Sequence, residues 1–221
     1  MLKRLFDIVF SLLALIILLP VFIPIILILR FTGEGEVFYC QERMGKGNKP
    51  FKITKFATML KNSPNMGTGG ITLRDDPRVL PLGKFLRKTK INELPQFWDI
   101  LIGNMSFVGP RPQMVSIHEH YPKEYEEVLN KVTPGVTGVG SIIFRDEEGI
   151  LTKAKDADHT FKNEVIPAKV DLEKWYVENH SFLKDILLIM ITAWVIISPR
   201  SNLLYKVFPK IPNIDTSKMG Q

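Results

Sequence analysis

Cysteine is almost missing. Cys40 is the only one in 221 residues, so no intrachain disulfide and no thiolate metal cage can form, and a reducing cytoplasmic compartment suits the chain. Histidine is scarce, with four residues. His118 and His120 are spaced like two ligands on one strand, yet they lead into an acidic helical run over residues 123–130, which argues against a metal site there. His159 and His180 fall in polar helical stretches and read as surface residues. A block of one charge sign is also lacking. Lys and Arg number 29 against 23 Asp and Glu, a net charge of +6, but the two signs alternate, and no helix-turn-helix, zinc-finger or RNP pattern occurs. Nucleic acid is therefore not the expected partner; the positive excess suits anionic lipid headgroups or phosphorylated substrates. The length fits one domain of ordinary size with an appended membrane segment.

One long apolar run is present, over residues 5–29, interrupted only by Asp7 and Ser11. As a straight helix it would extend roughly 37 Å, more than the hydrocarbon core of about 30 Å. Pro20 and Pro24 each remove a backbone donor and crowd the preceding turn, so a bend or break is expected near Leu19, leaving a first limb of about 22 Å. Positive residues stand on both sides, Lys3 and Arg4 before the run and Arg30, Arg43, Lys46 and Lys49 after it. Charge thus gives a simple span no orientation. A re-entrant helix over residues 1–31, dipping into one leaflet and returning, fits better than an ordinary transmembrane anchor. A cleaved signal peptide fits less well, because no small-residue cleavage site follows. Asp7 lies three residues beyond Arg4 and four beyond Lys3, the spacing at which helical side chains meet. An ion pair at headgroup level is expected to lower the cost of that carboxylate near lipid.

Residues 36–43 and 50–56 are short mixed-apolar runs around Gly45, Gly47 and Asn48, which reads as a β-hairpin. Residues 63–70, with Pro64, Gly67, Gly69 and Gly70, read as a surface loop near the site. Over residues 79–89 the apolar positions Val79, Leu80, Leu82, Phe85 and Leu86 fit one helical face, with Lys84, Arg87 and Lys88 on the other side and Lys90 just beyond. Glu147 and Glu148, beside Asp146, read as a solvated turn before Gly149. Residues 161–198 read as two helices divided near Ser181. The apolar run 186–197 is too short to span, and suits a core or interfacial helix with Trp194 at headgroup depth. The basic tail over residues 199–221 is expected to be poorly ordered.

Candidate chemistry lies between Arg87 and Arg111. Cleaving a diphosphate needs cations for the non-reacting oxygens, an in-line nucleophile and usually a divalent metal. Glu93 and Asp99 supply carboxylates, Arg87 and Arg111 supply forks for bidentate phosphate contact, and Pro110 and Pro112 stiffen the turn that carries Arg111. Read alone, Asn92 and Glu93 also fit a helix N-cap followed by an early acidic residue, with Leu94 and Pro95 at the first turn.

The stretch Asn92-Glu93-Leu94-Pro95-Gln96, followed by Gly109-Pro110-Arg111-Pro112, resembles the central motif of the bacterial sugar transferases, the monotopic phosphoglycosyl transferases. The agreement continues in order through Lys3-Arg4-Leu5-Phe6-Asp7, Gln41-Glu42-Arg43-Met44-Gly45, Lys55-Phe56-Ala57-Thr58-Met59, Asp76-Pro77-Arg78, Leu86-Arg87-Lys88-Thr89, Pro134-Gly135-Val136-Thr137-Gly138 and Trp175-Tyr176-Val177-Glu178-Asn179. The resemblance implies an α+β, mostly helical monotopic membrane protein, with residues 32–198 forming the transferase domain at the cytoplasmic face of the bacterial inner membrane. It implies Mg²⁺-dependent transfer of a sugar-1-phosphate from a UDP-sugar to undecaprenyl phosphate, the first membrane step of capsule, exopolysaccharide, O-antigen or glycoprotein glycan assembly. Membrane lipids, a second copy of the chain or other glycan-assembly enzymes are the further partners it implies. Arg4, Asp7, Pro20 and Pro24 match its membrane anchor, and Lys55, Arg87 and Arg111 match substrate-binding positions. Asp171 is the candidate for a site carboxylate in the helix near Tyr176. Asn92 and Glu93 match the catalytic and metal-binding dyad.

Three positions depart from the pattern. Ala57 and Thr133 stand where an Arg is usual, and Asn92 stands where the family carries the nucleophilic Asp. An amide does not attack phosphorus as a carboxylate does. Three outcomes remain open: Glu93 supplies the nucleophile, the acceptor phosphate attacks directly while Glu93 holds the metal, or catalysis is lost and the chain binds nucleotide sugar or scaffolds other enzymes. Asn92 retains a carbonyl able to accept a hydrogen bond or to ligate Mg²⁺.

Overall fold

Along the first helix, α1 (Leu2–Phe31), the two polar residues inside the apolar run are buried and most apolar ones are exposed. Asp7 and Ser11 are buried together with Phe22, Ile25 and Leu29, while Leu5, Ile16, Ile17, Leu19, Ile23 and Leu27 stand in the open. That pattern is the reverse of a helix facing water, and it suits one surrounded by lipid. The helix runs unbroken through Pro20 and Pro24, so of the bend or break expected near Leu19 the break does not occur. Each proline removes a single ladder bond, and the surrounding bonds of a long apolar helix persist because hydrocarbon offers the backbone no other partner.

Both ends of α1 dock on the same body. At the start, Lys3 Nζ donates to Val108 O at 2.9 Å and to Asp185 Oδ2 at 2.5 Å, and Arg4 donates to Ile100 O at 2.6 Å and Leu101 O at 2.7 Å. Toward the end, Phe22, Ile25 and Leu29 pack with Phe56 and Leu86. A helix crossing the bilayer away from its domain would leave one end free of it. The attachment of both ends makes this a monotopic arrangement. Asp7 departs from the expected ion pair: its Oδ1 accepts from the Ser106 hydroxyl and the Phe107 N–H, each at 3.2 Å, because Lys3 and Arg4 reach outward to other elements.

The computed structural model describes residues 1–67, 72–73, 75–118, 121–123, 125–126 and 131–221. Gly69, Gly70, His120 and most of the acidic run 123–130 lie outside the described residues. The hairpin forms as read: β1 (Phe38–Met44) pairs antiparallel with β2 (Pro50–Phe56), Gln41 opposite Ile53 and Arg43 opposite Phe51. Next, α2 (Pro81–Lys88) starts at a proline suited to a first helical position. It buries Leu86 fully but leaves Phe85 56% exposed, so Phe85 is not on the buried face expected for it. A 3-10 turn (Ile91–Glu93) leads into α3 (Gln96–Ile102), whose last carbonyls Arg4 caps.

A second small sheet carries the loop of Arg111. In it β3 (Ser106–Val108) runs parallel to β4 (Gly135–Thr137), Ser106 opposite Gly135 and Val108 opposite Thr137. A Cβ on Gly135 would lie 2.1 Å from the Gly109 nitrogen, and one on Gly109 would lie 2.3 Å from Thr133 O. Only glycine permits this approach of the two motif loops.

Past the short α4 (Val115–His118), the main core joins α5 (Val139–Ile143), a π turn (Phe161–Val165) that continues α7 (Ala157–Thr160) into α8 (Ile166–Asn179), and α9 (Phe182–Ile197) around Val139, Val165, Leu172, Tyr176, Leu188 and Ile191. The division near Ser181 holds, with the Ser181 hydroxyl oxygen capping α9 by accepting from Lys184 N. The outward stripe of α9 contains Leu183, Met190, Trp194 and Ile197, all exposed. The tail differs from the loose segment expected. It forms α10 (Leu203–Val207), buries Leu204, Phe208 and Ile211, and ends with the Gly220 N–H donating to Glu164. Its apolar side chains outweigh its basic ones because Phe208 meets Trp175 edge-on, with ring centroids 5.7 Å apart.

Candidate active site

Glu93 sits between two cations. Its Oε1 accepts from Lys55 Nζ at 3.2 Å and from Arg111 Nη2 at 2.7 Å, while Oε2 accepts only a longer bond of 3.3 Å from Arg111 Nη1. Each partner comes from a different element. Lys55 is set by the hairpin, beside the fully buried Phe56. Arg111 is set by the glycine-mediated approach of β3 and β4. Glu93 closes the turn entered through Lys90, a left-handed residue with φ of 60°; that conformation costs a lysine some strain and reverses the chain out of α2. Arg43 flanks the cluster, donating to Gln41 Oε1 and to Pro112 O at 3.2 Å.

Three cations thus surround one carboxylate, and the electrostatics follow. Although burial opposes it, Arg111 and Lys55 hold the Glu93 carboxyl well below the usual range, so it is ionised. Burial lowers Lys55 to about 7 against the attraction of Glu93, with Arg111 and Arg43 adding to the fall. Arg43 is lowered to about 10 by burial and the nearby Arg111 and stays charged. Such a cluster has spare positive charge for phosphate oxygens, in a place sheltered from water.

Lys55, Glu93 and Arg111 are brought together as the sequence suggested. Arg87 is paired with Glu148. Asp99 is structural, accepting from Thr54 N at 2.8 Å and from its hydroxyl at 3.2 Å, which ties α3 to β2. The N-cap alternative for Asn92 fails: α3 begins three residues beyond Glu93, after Pro95, and no side-chain cap is made. Asp171 is exposed on the outer side of α8. The carboxylate turned inward is Glu173, 2% exposed, which burial raises to about 8 against the Arg111 backbone N–H and the charge of Lys169. A helical phase set by Ile166, Leu172 and Tyr176 points Glu173 inward and Asp171 outward, a signal the sequence carried. Gly140 leaves room for it, since a Cβ there would lie 2.5 Å from Glu173 Oε1.

Glu147 and Glu148 open α6 (Glu147–Lys153) and are not a solvated turn: Glu147 pairs with the buried Lys169 at 2.5 Å, and Glu148 holds Arg87. His118 is buried, with Nε2 3.3 Å from Glu126 Oε1. No group of three or more metal-binding His, Cys, Asp or Glu occurs among the described residues. For Mg²⁺ the donors fit in kind. Asn92 is 5% exposed and its Oδ1 is buried without a hydrogen-bond partner among the described residues, and Glu93 Oε2 is lightly engaged. Mg²⁺ commonly takes one or two protein oxygens and completes its shell from substrate phosphates and water.

A cation cluster around one ionised carboxylate, on a body fastened at both ends of a lipid-facing helix, defines a monotopic membrane-surface domain suited to phosphorylated substrates. The chain belongs to the bacterial sugar transferase family, whose sequence model matches residues 1–199. It is 35% identical over 197 residues to the UDP-glucose:undecaprenyl-phosphate glucose-1-phosphate transferase of Escherichia coli strain K12, covering 88% of this chain and 40% of that protein. It is 32% identical over 194 residues to the UDP-N-acetylgalactosamine-undecaprenyl-phosphate N-acetylgalactosaminephosphotransferase of Aeromonas hydrophila, covering 85% and 43%. To the exopolysaccharide production protein ExoY of Sinorhizobium fredii it is 32% identical over 204 residues, covering 86% and 83%. The chain therefore spans about two fifths of the first two relatives and most of the third.

Proposed function

We propose that this chain transfers a sugar-1-phosphate from a UDP-sugar to undecaprenyl phosphate at the cytoplasmic face of the bacterial inner membrane, in exopolysaccharide or related glycan assembly. The observation that carries the reading is the ionised Glu93 fixed between Lys55 and Arg111 on a membrane-docked body. The names of the relatives supply the substrate classes. An acceptor with its phosphate at the headgroup plane and its tail in lipid needs cations at that plane, and the exposed apolar residues of α1 and α9 support such a docking. Pairing with a second copy or with other glycan-assembly enzymes belongs to the same proposal.

In this reading Glu93 attacks the sugar-bearing phosphorus of the donor through Oε2, its less engaged oxygen, and the bond to UMP breaks. An oxygen of the lipid phosphate then attacks the phosphosugar ester, the lipid-linked diphosphate sugar forms, and the Glu93 carboxylate is regenerated. Lys55 and Arg111 move from Glu93 to the phosphoryl oxygens as its charge is consumed. Arg43 adds positive field. Asn92 Oδ1, with Glu93 nearby, would hold Mg²⁺, which when bound neutralises the donor diphosphate.

The test uses the full chain in detergent with Mg²⁺, undecaprenyl phosphate and a panel of UDP-sugars. UMP release, a phosphosugar adduct on Glu93 by mass spectrometry, and loss of both in Glu93→Gln are expected. Absence of UMP and of lipid-linked sugar across the panel refutes the enzyme. UMP release with no adduct points instead to direct attack by the acceptor. Single-cysteine labelling at positions 3 and 46 in a Cys40→Ser background is expected to place both on the cytoplasmic side; reaction of either with an impermeant reagent from the periplasm refutes the topology.

The uncharged Asn92 favours one second reading, a non-catalytic protein that binds nucleotide sugar or scaffolds other enzymes. Asn92→Asp separates the two. A gain from zero turnover supports the scaffold, and a fall from a working baseline supports an enzyme adapted to the amide.

A further inference from the structure

Two consecutive carboxylates at the start of α6 occupy cations beside the site. Glu148 accepts from Arg87 Nη2, and Glu147 Oε2 accepts from Lys169 Nζ at 2.5 Å. Acidic residues in a first helical turn need no such partners, since the helix dipole already favours them; here both side chains reach across to other elements. Glu147 also lies within electrostatic range of Arg43 and Arg111. The first turn of α6 therefore touches Arg87 through Glu148 and reaches Arg43 and Arg111 electrostatically through Glu147.

The two pairs differ in shelter. The side chains of Lys169 and Glu147 are 8% and 29% exposed, those of Arg87 and Glu148 23% and 43%. The Arg87 pair meets solvent, is screened, and is held weakly. A guanidinium fork matches a phosphate better than a single carboxylate and gains more from its higher charge. Arg87 has a second contact, Nη1 lying 3.7 Å from Met59 Sδ, four residues beyond Lys55.

We propose that Glu148 is a placeholder for substrate phosphate: it holds Arg87 in the unliganded protein, and an incoming diphosphate takes Arg87 from it. The inference rests on the donor-diphosphate reading above and names what regulates entry to that site. Exchange frees Glu148 while Glu147 stays on Lys169, so α6 keeps its buried anchor and changes only its outer one. The return of Glu148 to Arg87 after cleavage competes with phosphate contacts, and disfavours retention of a product that carries fewer of them.

Titration calorimetry on the full chain in detergent, with UDP and separately with inorganic pyrophosphate, tests this. Glu148→Gln is expected to tighten both about three- to fivefold, as loss of one exposed competing pair allows, with Glu148→Ala moving the same way. Arg87→Ala is expected to weaken both and to abolish the gain from Glu148→Gln in the double variant. Unchanged or weaker binding in Glu148→Gln overturns the placeholder, as does a gain that survives without Arg87. Tightening toward pyrophosphate with no binding of UDP supports the placeholder while removing the nucleotide-sugar reading. Binding of UDP that ignores Glu148 does the opposite.

Discussion

Asp185 receives both Lys3 and Tyr176: its Oδ2 lies 2.5 Å from Lys3 Nζ, and its Oδ1 accepts from the Tyr176 hydroxyl at 2.7 Å. One buried carboxylate on α9 thereby joins the first turn of the membrane helix to the helix that carries Glu173. Membrane anchor and site helix thus meet at this polar joint.

Removing that joint is expected to cost stability. Asp185→Ala leaves the Tyr176 hydroxyl with its longer bond to Val108 O at 3.3 Å and removes one bond of Lys3, and should lower unfolding free energy by about 2–3 kcal/mol, a value kept modest because Lys3 is partly exposed. Asp185→Asn keeps an acceptor for Tyr176 and should cost about half as much. Denaturant unfolding in detergent checks both.

Lys55 predicts an alkaline limit to activity. With its ammonium lowered to about 7 from the ordinary 10.5, the cation on Glu93 is lost as pH rises through neutrality, and kcat/KM for the donor should fall there. Stability should move the other way. Between about 7 and 10.5 the unfolded chain binds this proton more tightly, so the group's penalty on folding shrinks as pH rises. Lys55→Arg, which does not titrate in this range, should remove the alkaline limb while lowering the peak rate; pH–rate and pH–melting profiles read the two effects.

Glu173 predicts an opposite slope. A carboxyl raised to about 8 from 4.5 is protonated at neutral pH, and its contribution to stability is complete below 4.5 and lost as pH rises through 8. Glu173→Gln imitates the protonated form and should flatten that slope while keeping turnover within about threefold. Glu173→Ala should cost more than tenfold, because Arg111 loses a neighbour that positions its backbone. Melting temperature against pH, with rates at pH 7, distinguishes the variants.

The segment beyond residue 199 should prove part of the domain. Leu204, Phe208 and Ile211 are buried, and deleting residues 200–221 should cost about 5–9 kcal/mol, since each large apolar side chain contributes roughly 1.5–3 kcal/mol. Phe208→Ala alone should cost about 3 kcal/mol. Detergent-phase melting of both variants checks this.

Much of the architecture could be read in advance where one residue type forces one outcome. The apolar run 5–29 implied a lipid-facing helix, Gly45, Gly47 and Asn48 implied the hairpin turn, and Ser181 divided the last two long helices. The site was legible in part: Lys55, Glu93 and Arg111 are separated in sequence but belong to motifs whose order is readable. Asp171 is exposed and Glu173, two residues on, is buried, a difference of helical phase alone. Glu147 and Glu148 looked like solvated surface because nothing local indicates a partner 22 or 61 residues away.

The sequence by itself determined what the environment must be, since residues 5–29 cannot be solvated by water and Asn92 cannot carry a charge. Tertiary structure decided which charges meet. Lys3 and Arg4 turned from Asp7 to α9 and α3, the prolines failed to break α1, and Glu148 took Arg87, because pairing energies depend on distance and burial that only the packed chain supplies.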